Sequence, residues 1–353
     1  MSELQIATAL RIPPRALSRS TVVTSNRGAS THALPTSDRG TSPGKPPALS
    51  AIICSHNPRP DYFRQCLGAL KDQTFPRDGW ELVVVDNRSD EPVAARVDLS
   101  WHPAPRIIRE EKLGLTPARL CGIRESRGEM LVFVDDDNVL DPNFLEIALG
   151  VAEQKHFLGA WSGQCRPEFE EPPPPWTRRY WGNLVVREFD NDVWSNLPRL
   201  SDTMPCGAGL CVRREVALHY LSLYESGKRS FQFDRTGDSL LSGGDNDLAG
   251  CACDIGLGVG LIASLKLTHL IPPERLTEDY LARLSEGIHY SGALLDYFRG
   301  SIPRKPSFGR KILFWTRLLS LKSQHARIAR AVERGNSRAR KTIAARIQKY
   351  EED

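Results

Sequence analysis

The sequence lacks the features that mark several classes of protein. No apolar run approaches the roughly 20 residues that cross a bilayer, so we expect no transmembrane helix. Residues 1–30 contain no compact apolar core of the kind that a secretory signal carries. None of the eight cysteines forms a CxxC pair, which argues against a zinc site. Reduced thiols in a cytoplasmic protein are the simplest account of these cysteines.

Charge is divided unevenly along the chain. Residues 301–353 contain 14 Lys or Arg against 4 Asp or Glu, whereas residues 1–300 contain 33 basic and 39 acidic residues. Apolar residues alternate with these cations at helical spacing, so we predict a basic helical tail over 301–353. Its segment 304–349 either contacts an anionic membrane, which would place the protein at the inner face of that membrane, or packs on the body or a second subunit. No recognition motif points to nucleic acid, which is not expected as a partner.

The pattern of apolar residues divides the rest of the chain in two. Residues 1–47 are rich in Ser, Thr, Pro, Arg and Gly and have no apolar periodicity. We predict a disordered N-terminal tail there, with an organellar transit peptide as the alternative because acidic residues are so few. Residues 48–300 are predicted to form one folded domain, because strand and helix patterns run through them.

Near-continuous apolar runs predict buried strands at 48–54, 80–85 and 131–134, with a short strand at 106–109. Helical patterns lie between these strands. Strands that alternate with helices and are apolar on both faces are typical of a doubly wound α/β fold with a mostly parallel, Rossmann-like sheet and flanking helices. By contrast, the segment 167–205 is predicted to be a long irregular loop, whose aromatic residues either stack on sugar rings or pack against the body.

Polar side chains follow three of the predicted strands. Ser55-His56-Asn57, Asp86-Asn87-Arg88-Ser89 and Asp135-Asp136-Asp137 each come directly after an apolar run. Ligands of open α/β sheets bind beyond the carboxyl ends of strands, so these residues are expected to share one site. Three adjacent carboxylates repel one another and are costly to desolvate, and a divalent cation would resolve that cost. The alternative is a solvated acidic turn that caps the next helix.

A second acidic cluster comes about a hundred residues later. Asp245 and Asp247 lie in a Gly-rich turn that opens an apolar helix, and His269 lies on a late strand predicted at 265–270. Mg²⁺ and Mn²⁺ favour oxygen ligands and keep substrate phosphate oxygens in their shell. A metal on a diphosphate stabilises it as a leaving group, while a separate carboxylate takes a proton from an attacking hydroxyl. The alternatives are helix caps for the two acids and a buried core residue for the histidine.

Together these motifs resemble the family 2 glycosyltransferases with the GT-A fold, over roughly residues 48–275. The resemblance is carried in order by Ile52 to Asn57, Val83 to Ser89, Phe133 to Asp137 and Gly243 to Leu248. It implies an inverting enzyme that moves a sugar from a nucleotide-sugar, expected to be UDP-linked, to a hydroxyl group. A polysaccharide or a lipid-linked sugar is the expected acceptor, and Mn²⁺ or Mg²⁺ the expected cofactor.

The resemblance also assigns roles to single residues. It implies nucleotide contacts for Ser55, His56, Asn57, Asp86, Arg119 and Asp135. It implies metal ligation by Asp137, Asp135 and His269, and leaves Asp136 as a spacer. Acceptor contacts are implied for Gly207, Ala208, Gly209 and Asp247. Asp245 matches the position of the catalytic base.

One departure from the family motif keeps other functions open. The motif usually begins with Glu, but Gly244 stands at that position here. A non-catalytic nucleotide-sugar-binding protein of the same fold is therefore one alternative. A nucleotidyltransferase is the other, although Ser55-His56-Asn57-Pro58 is not the Gly-rich phosphate loop that such an enzyme would need.

Overall fold

A computed structural model describes residues 46–198, 201–231, 233–237, 239–302 and 306–352. The predicted tail over 1–47 therefore lies almost wholly outside the described residues. Within these ranges nine strands form one sheet: β1 Leu49–Ser55, β2 Trp80–Asp86, β3 Pro105–Arg109, β4 Met130–Val134, β5 Asn138–Leu140, β6 Leu158–Phe169, β7 Val193–Ser195, β8 Leu210–Arg213 and β9 Gly258–Ile271. The α-helices are α1 Pro60–Lys71, α2 Leu115–Glu125, α3 Phe144–Gln154, α4 Arg214–Glu225, α5 Gly244–Asp254, α6 Glu278–Phe298, α7 Phe308–Ser320 and α8 Ser323–Glu352.

The sheet has the order β3-β2-β1-β4-β8-β6-β9-β5, with β7 paired to β9. Strands β3, β2, β1 and β4 are parallel to one another, and β6 is parallel to β9. Strands β8, β5 and β7 pair antiparallel with their neighbours. The parallel strands bring their carboxyl ends to one edge, where Ser55 of β1 stands opposite Asp86 of β2.

Helices cover both faces of the sheet, which explains why its strands are apolar throughout. Alternate residues of one strand enter different cores, as Ile53 and Ile52 of β1 do. The first core also receives α1 and α3, and the second receives α2, α4 and α5. This arrangement confirms the predicted doubly wound α/β fold.

Long-range pairing to β9 organises the second half of the site. Strand β9 is longer than the predicted strand at 265–270, and its far end pairs antiparallel with β5 so that Asn138 faces His269. This pairing brings His269 next to the acidic run that follows β4.

The segment 167–205 is more regular than predicted, because β6 extends to Phe169 and a 3-10 helix spans Pro175–Leu184.

The C-terminal helices pack on the body through α8. Apolar residues of α8 enter two clusters with α6, and Arg334 and Arg338 both form ion pairs with Glu286 of α6. Helix α7 precedes α8 and exposes much of its apolar surface. No helix within the described ranges is long and apolar enough to cross a membrane.

Candidate active site

A cavity of about 300 Å³ opens at the carboxyl ends of β1 and β4. Most of the site residues predicted from the sequence line it: Ser55, His56, Arg119, Asp135, Asp136, Asp137, Gly207, Ala208, Asp245 and His269. Four predicted residues are not among its lining residues: Asn57, Asp86, Gly209 and Asp247. The fold thus brings Asp245 of the second acidic cluster to the same cavity as the acidic run after β4, although the two are far apart in the chain.

The acidic run after β4 is held by neighbouring polar groups. Ser55 Oγ donates a hydrogen bond to Asp136 Oδ2. Asp137 Oδ2 lies 2.8 Å from Arg275 Nη2 and 3.4 Å from His269 Nε2. Burial raises the pKa of the Asp137 carboxyl, but the charge of the adjacent Arg275 guanidinium outweighs burial and holds that pKa well below its ordinary value. Burial and the adjacent Asp137 carboxylate raise the pKa of Asp136 to about 7.

His269 is oriented by the backbone. Its Nδ1 lies 3.0 Å from the carbonyl oxygen of Leu184, so Nδ1 is the protonated nitrogen and Nε2 carries the lone pair. Nε2 points toward Asp137 and accepts a hydrogen bond from Arg275 Nη1 at 3.0 Å. A backbone carbonyl that fixes the far nitrogen is the usual support of a metal-binding histidine.

Asp135, Asp137 and His269 line the same cavity. Carboxylate oxygens are the ligands that Mn²⁺ and Mg²⁺ favour, and the two acids supply them. The Arg275 guanidinium now supplies the positive charge that balances Asp137. These residues would therefore accommodate a metal if Arg275 released its contact with Nε2.

The second acidic cluster contributes one carboxylate to the cavity. Asp245 is in the first turn of α5 and is half-buried. Its Oδ2 accepts a hydrogen bond from the backbone N–H of Gly207 at 2.7 Å, and its Oδ1 accepts one from Asn246 N at 2.9 Å. These bonds fix the carboxylate while each oxygen keeps a lone pair for a ligand.

Asp247 was predicted as an acceptor contact, and the structure does not place it in the cavity. Its side chain is 0% exposed and forms ion pairs with Arg229 at 3.1 Å and Arg299 at 3.2 Å. Two residues along a helix separate side chains by about 200°, so Asp245 and Asp247 point to opposite sides of α5. Gly209 is also outside the lining, since it packs against Leu267 and Phe144 with a φ of +64°.

The predicted nucleotide turn is divided between the cavity and the surface. His56 is exposed and its Nδ1 lies 2.8 Å from the carbonyl oxygen of Asn87. Asn57 is exposed, and its side-chain amide donates to Asp90. Asp86 is buried and its oxygens accept hydrogen bonds from the backbone N–H groups of Ser89 and Val93 and from Arg109 Nη1, at 2.9, 3.2 and 3.0 Å.

Arg119 lines the cavity but is tied to a carboxylate that sequence analysis missed. The guanidinium is buried and donates to Asp234 Oδ2 at 2.9 Å. Arg275 was missed as well. Asp234 and Arg275 lie in segments without a recognisable motif, although Arg275 follows His269 by only six positions.

The aromatic residues predicted to stack on sugars lie elsewhere: Trp176 and Tyr180 contact His325, Trp181 contacts Phe169, and Trp194 contacts Phe157.

Known proteins resemble this chain in sequence and in fold. Residues 50–216 match the family model described as Glycosyl transferase family 2. Glycosyltransferase AglE of Haloferax volcanii is 33% identical over 94 residues, which are 26% of this chain and 31% of that protein. An N-acetylglucosaminyltransferase of Sinorhizobium fredii is 26% identical over 208 residues, 55% of this chain and 48% of that protein. The chain thus spans about a third to a half of the length of these curated relatives.

A solved structure has the same fold. The mannosyltransferase PcManGT from Pyrobaculum calidifontis, in complex with GDP-Man and Mn²⁺, superposes with a TM-score of 0.50 and 19% identity, covering 87% of this chain and 80% of that one. Both the motifs of residues 50–216 and the arrangement of the sheet agree with these matches. Residues 50–216 thus match glycosyltransferase family 2, and the described part of the chain has the GT-A fold.

Proposed function

We propose that this protein transfers a sugar from a nucleotide-sugar to a hydroxyl group, with inversion at the anomeric carbon. The observation that carries the proposal is that the acidic run after β4 and Asp245 line the same cavity. A UDP-linked donor is proposed from the family resemblance. GDP is the alternative nucleotide, because the solved relative holds GDP-Man. N-acetylglucosamine is the first sugar to test, since the Sinorhizobium relative is named for its transfer.

Asp137, Asp135 and His269 are the residues proposed to hold Mn²⁺ or Mg²⁺. When bound, such a metal would neutralise the charge that develops on the departing diphosphate. Ser55 and His56, at the carboxyl end of β1, are proposed to contact the nucleotide beside it. Arg275 is a further cation in the same cavity and is available to the diphosphate once it leaves Asp137.

Asp245 is proposed as the general base. The acceptor oxygen forms a bond to the anomeric carbon, the bond from that carbon to the diphosphate oxygen breaks, and the hydroxyl proton passes to the Asp245 carboxylate. The hydrogen bonds from Gly207 N and Asn246 N keep this carboxylate aimed before the acceptor arrives. Gly207 and Ala208 leave space for the acceptor in the same cavity, because neither has a side chain larger than a methyl group.

Release of free nucleoside diphosphate tests this proposal before the acceptor is known, because water then supplies the hydroxyl that receives the sugar. The purified protein is incubated with UDP-GlcNAc, UDP-glucose or GDP-mannose and Mn²⁺, and the diphosphate is measured with a coupled enzyme. We expect release from one donor, and a loss of about 10²- to 10⁴-fold in Asp245→Asn with donor binding retained. An unchanged rate in Asp245→Asn would exclude Asp245 as the base. Donor binding without release in any variant would favour the non-catalytic alternative, and release of pyrophosphate from a nucleoside triphosphate would favour a nucleotidyltransferase.

We also propose that α7 contacts an anionic membrane, where a lipid-linked acceptor would be found. Four large apolar side chains of α7 follow one another at intervals of 4, 3 and 4 residues and are therefore on one face: Phe308, Ile312, Trp315 and Leu319. Their exposed fractions are 80%, 49%, 60% and 89%. Leu318, by contrast, is buried. We call these four residues the apolar stripe.

Charge favours a membrane over a second copy as the occupant of the apolar stripe. Between Asp296 and Glu333 the sequence has nine Lys or Arg and no acidic residue. Two such helices face to face would bring like charges together, whereas anionic lipid headgroups would attract them, by about 1 kcal/mol for each cation near the surface.

Co-sedimentation with vesicles tests the membrane contact. We expect the protein to bind phosphatidylcholine vesicles that contain phosphatidylglycerol, and to bind pure phosphatidylcholine much less. Ile312→Asn/Trp315→Asn removes apolar area from the stripe and should weaken binding at least about ten-fold. The control is Thr316→Asn/Ser320→Asn, because these two residues lie beside the stripe. This variant should bind the vesicles as the wild type does. Equal binding by both double variants, or a wild-type dimer that the stripe variant dissociates, would refute the membrane proposal.

A further inference from the structure

The position where the family motif has an acidic side chain is filled here by a carboxylate from another segment. Gly244 has no side chain, and a Cβ atom built on it would overlap Oδ2, Cγ and Oδ1 of Asp234. Asp234 comes ten residues earlier, from the loop that follows α4. Its carboxylate therefore occupies the space into which a side chain at position 244 would project.

Asp234 is buried and each of its oxygens is hydrogen-bonded. Oδ1 accepts from the backbone N–H of Gly244 at 3.1 Å, at the start of α5. Oδ2 accepts from Thr116 Oγ1 at 3.0 Å and from Arg119 Nη1 at 2.9 Å, both on α2. The loop is also joined to α2 by a hydrogen bond from Leu115 N to the Arg235 carbonyl oxygen. One carboxylate thus connects the first turn of α5 to α2.

The groups that Asp234 contacts are neighbours of Asp245. Asp245 follows Gly244 in the first turn of α5, and its Oδ2 accepts from Gly207 N. The guanidinium of Arg119 lies beside Gly207 as well, where a Cβ atom would be 2.9 Å from Nη2 and 3.3 Å from Asp245 Oδ2. Arg119 and the first turn of α5 are both hydrogen-bonded to Asp234, so a shift of Asp234 would displace the groups next to the Asp245 carboxylate.

We infer that Asp234 is a positioning residue for the base, and that it replaces the acidic side chain that this chain lacks at position 244. This inference rests on the proposed function, since it gives Asp245 the role of base. Asp234 itself touches no reacting atom in this account. It sets the start of α5 and the guanidinium of Arg119, and through them the direction of the Asp245 carboxylate.

A reciprocal exchange tests the inference. Asp234→Ala removes the carboxylate and should reduce kcat roughly a hundred-fold, because a misplacement of about 1 Å costs that much, while KM for the donor stays unchanged. Gly244→Glu alone should also lose turnover, because its side chain meets Asp234. Asp234→Ala/Gly244→Glu restores one carboxylate to the same space. We expect it to exceed either single variant at least about ten-fold, as contacting residues are coupled by such factors.

Diphosphate release, donor binding and thermal unfolding are measured for each protein, with Asp78→Ala as a control that changes an exposed carboxylate outside the cavity lining. A folded double variant that is no more active than the single ones would overturn the inference. So would a loss in Asp234→Ala that affects KM and kcat alike, because positioning of the base predicts a change in kcat. A wild-type protein that binds donor but releases no diphosphate would refute the proposed function instead, and the role of Asp234 would fall with it.

Discussion

The two acids of the α5 motif are expected to respond in opposite ways to the same substitution. Asp247 is fully buried between Arg229 and Arg299, whose side chains are 10% and 5% exposed. Asp247→Asn keeps the shape of the side chain but removes the carboxylate that Arg229 and Arg299 share, although Arg299 keeps its ion pair with Asp254. Breaking a buried ion pair in this way costs about 3 kcal/mol or more. For a folded body of this size, that cost corresponds to a fall in Tm of about 6 °C.

Asp245→Asn is the matched comparison. Asp245 accepts only two backbone hydrogen bonds, and the amide oxygen of Asn can keep one of them. We expect a loss of about 1 kcal/mol, which corresponds to about 2 °C in Tm. Turnover should fall by about 10²- to 10⁴-fold in this variant.

Calorimetric unfolding and diphosphate release, measured on both variants and the wild type, separate the two roles. For Asp247→Asn we expect a clearly lower Tm and, below its unfolding range, much of the wild-type turnover. The reasoning would be refuted if Asp247→Asn unfolded with the wild type and lost turnover, because Asp247 would then act in the reaction and not in the fold.

Three further predictions concern the pH dependence, the backbone and the histidine. The Glu81 carboxylate is buried, but hydrogen bonds from Ser50 and Arg127 N and the charge of Arg106 hold its pKa below the ordinary value. The ionised Glu81 carboxylate stabilises the folded protein by about 2 kcal/mol, and this contribution is complete above the unfolded pKa of about 4.3. Because it is lost as pH falls through the folded pKa, the Tm difference between wild type and Glu81→Gln should shrink below about pH 4. A difference that stays constant to pH 3 would contradict this. Gly128→Ala should lower Tm by several degrees, because its Cβ would overlap the backbone of β1, whereas Gly227→Ala, with no atom within 4 Å, should lower it only by the strain of its φ of +73°. His269→Ala should weaken Mn²⁺-dependent donor binding about 10- to 100-fold with little change in metal-free binding, and equal losses under both conditions would exclude a metal role.

Local patterns predicted the elements that the structure shows most plainly. The strands at 48–54, 80–85 and 131–134 could be predicted because each is a continuous apolar run that ends in polar residues. Parallel pairing of these strands places those polar ends at one edge of the sheet. The run Asp135 to Asp137 was predicted at the site for the same reason. His269 was predicted as a candidate only through the resemblance, and its place beside Asp137 depends on the pairing of β5 with β9.

Residues placed by tertiary contacts could not be predicted in this way. Asp234 and Arg275 belong to segments without periodicity, and each reaches the cavity because a distant element holds it there. Asp245 and Asp247 look equivalent in a Gly-rich acidic turn. Only the helix that starts at Gly244 separates them, by turning one toward the cavity and the other toward two buried arginines.

Calorimetric titration with UDP and with GDP, each with and without Mn²⁺, shows whether the acidic run after β4 binds a diphosphate through a metal. We expect one of these diphosphates to bind tightly only with the metal, and this binding to disappear in Asp137→Ala and to persist in the surface control Asp78→Ala. Absence of metal-dependent binding to either diphosphate, in a protein that unfolds cooperatively, would contradict the claim that the acidic run after β4 forms a metal–diphosphate site.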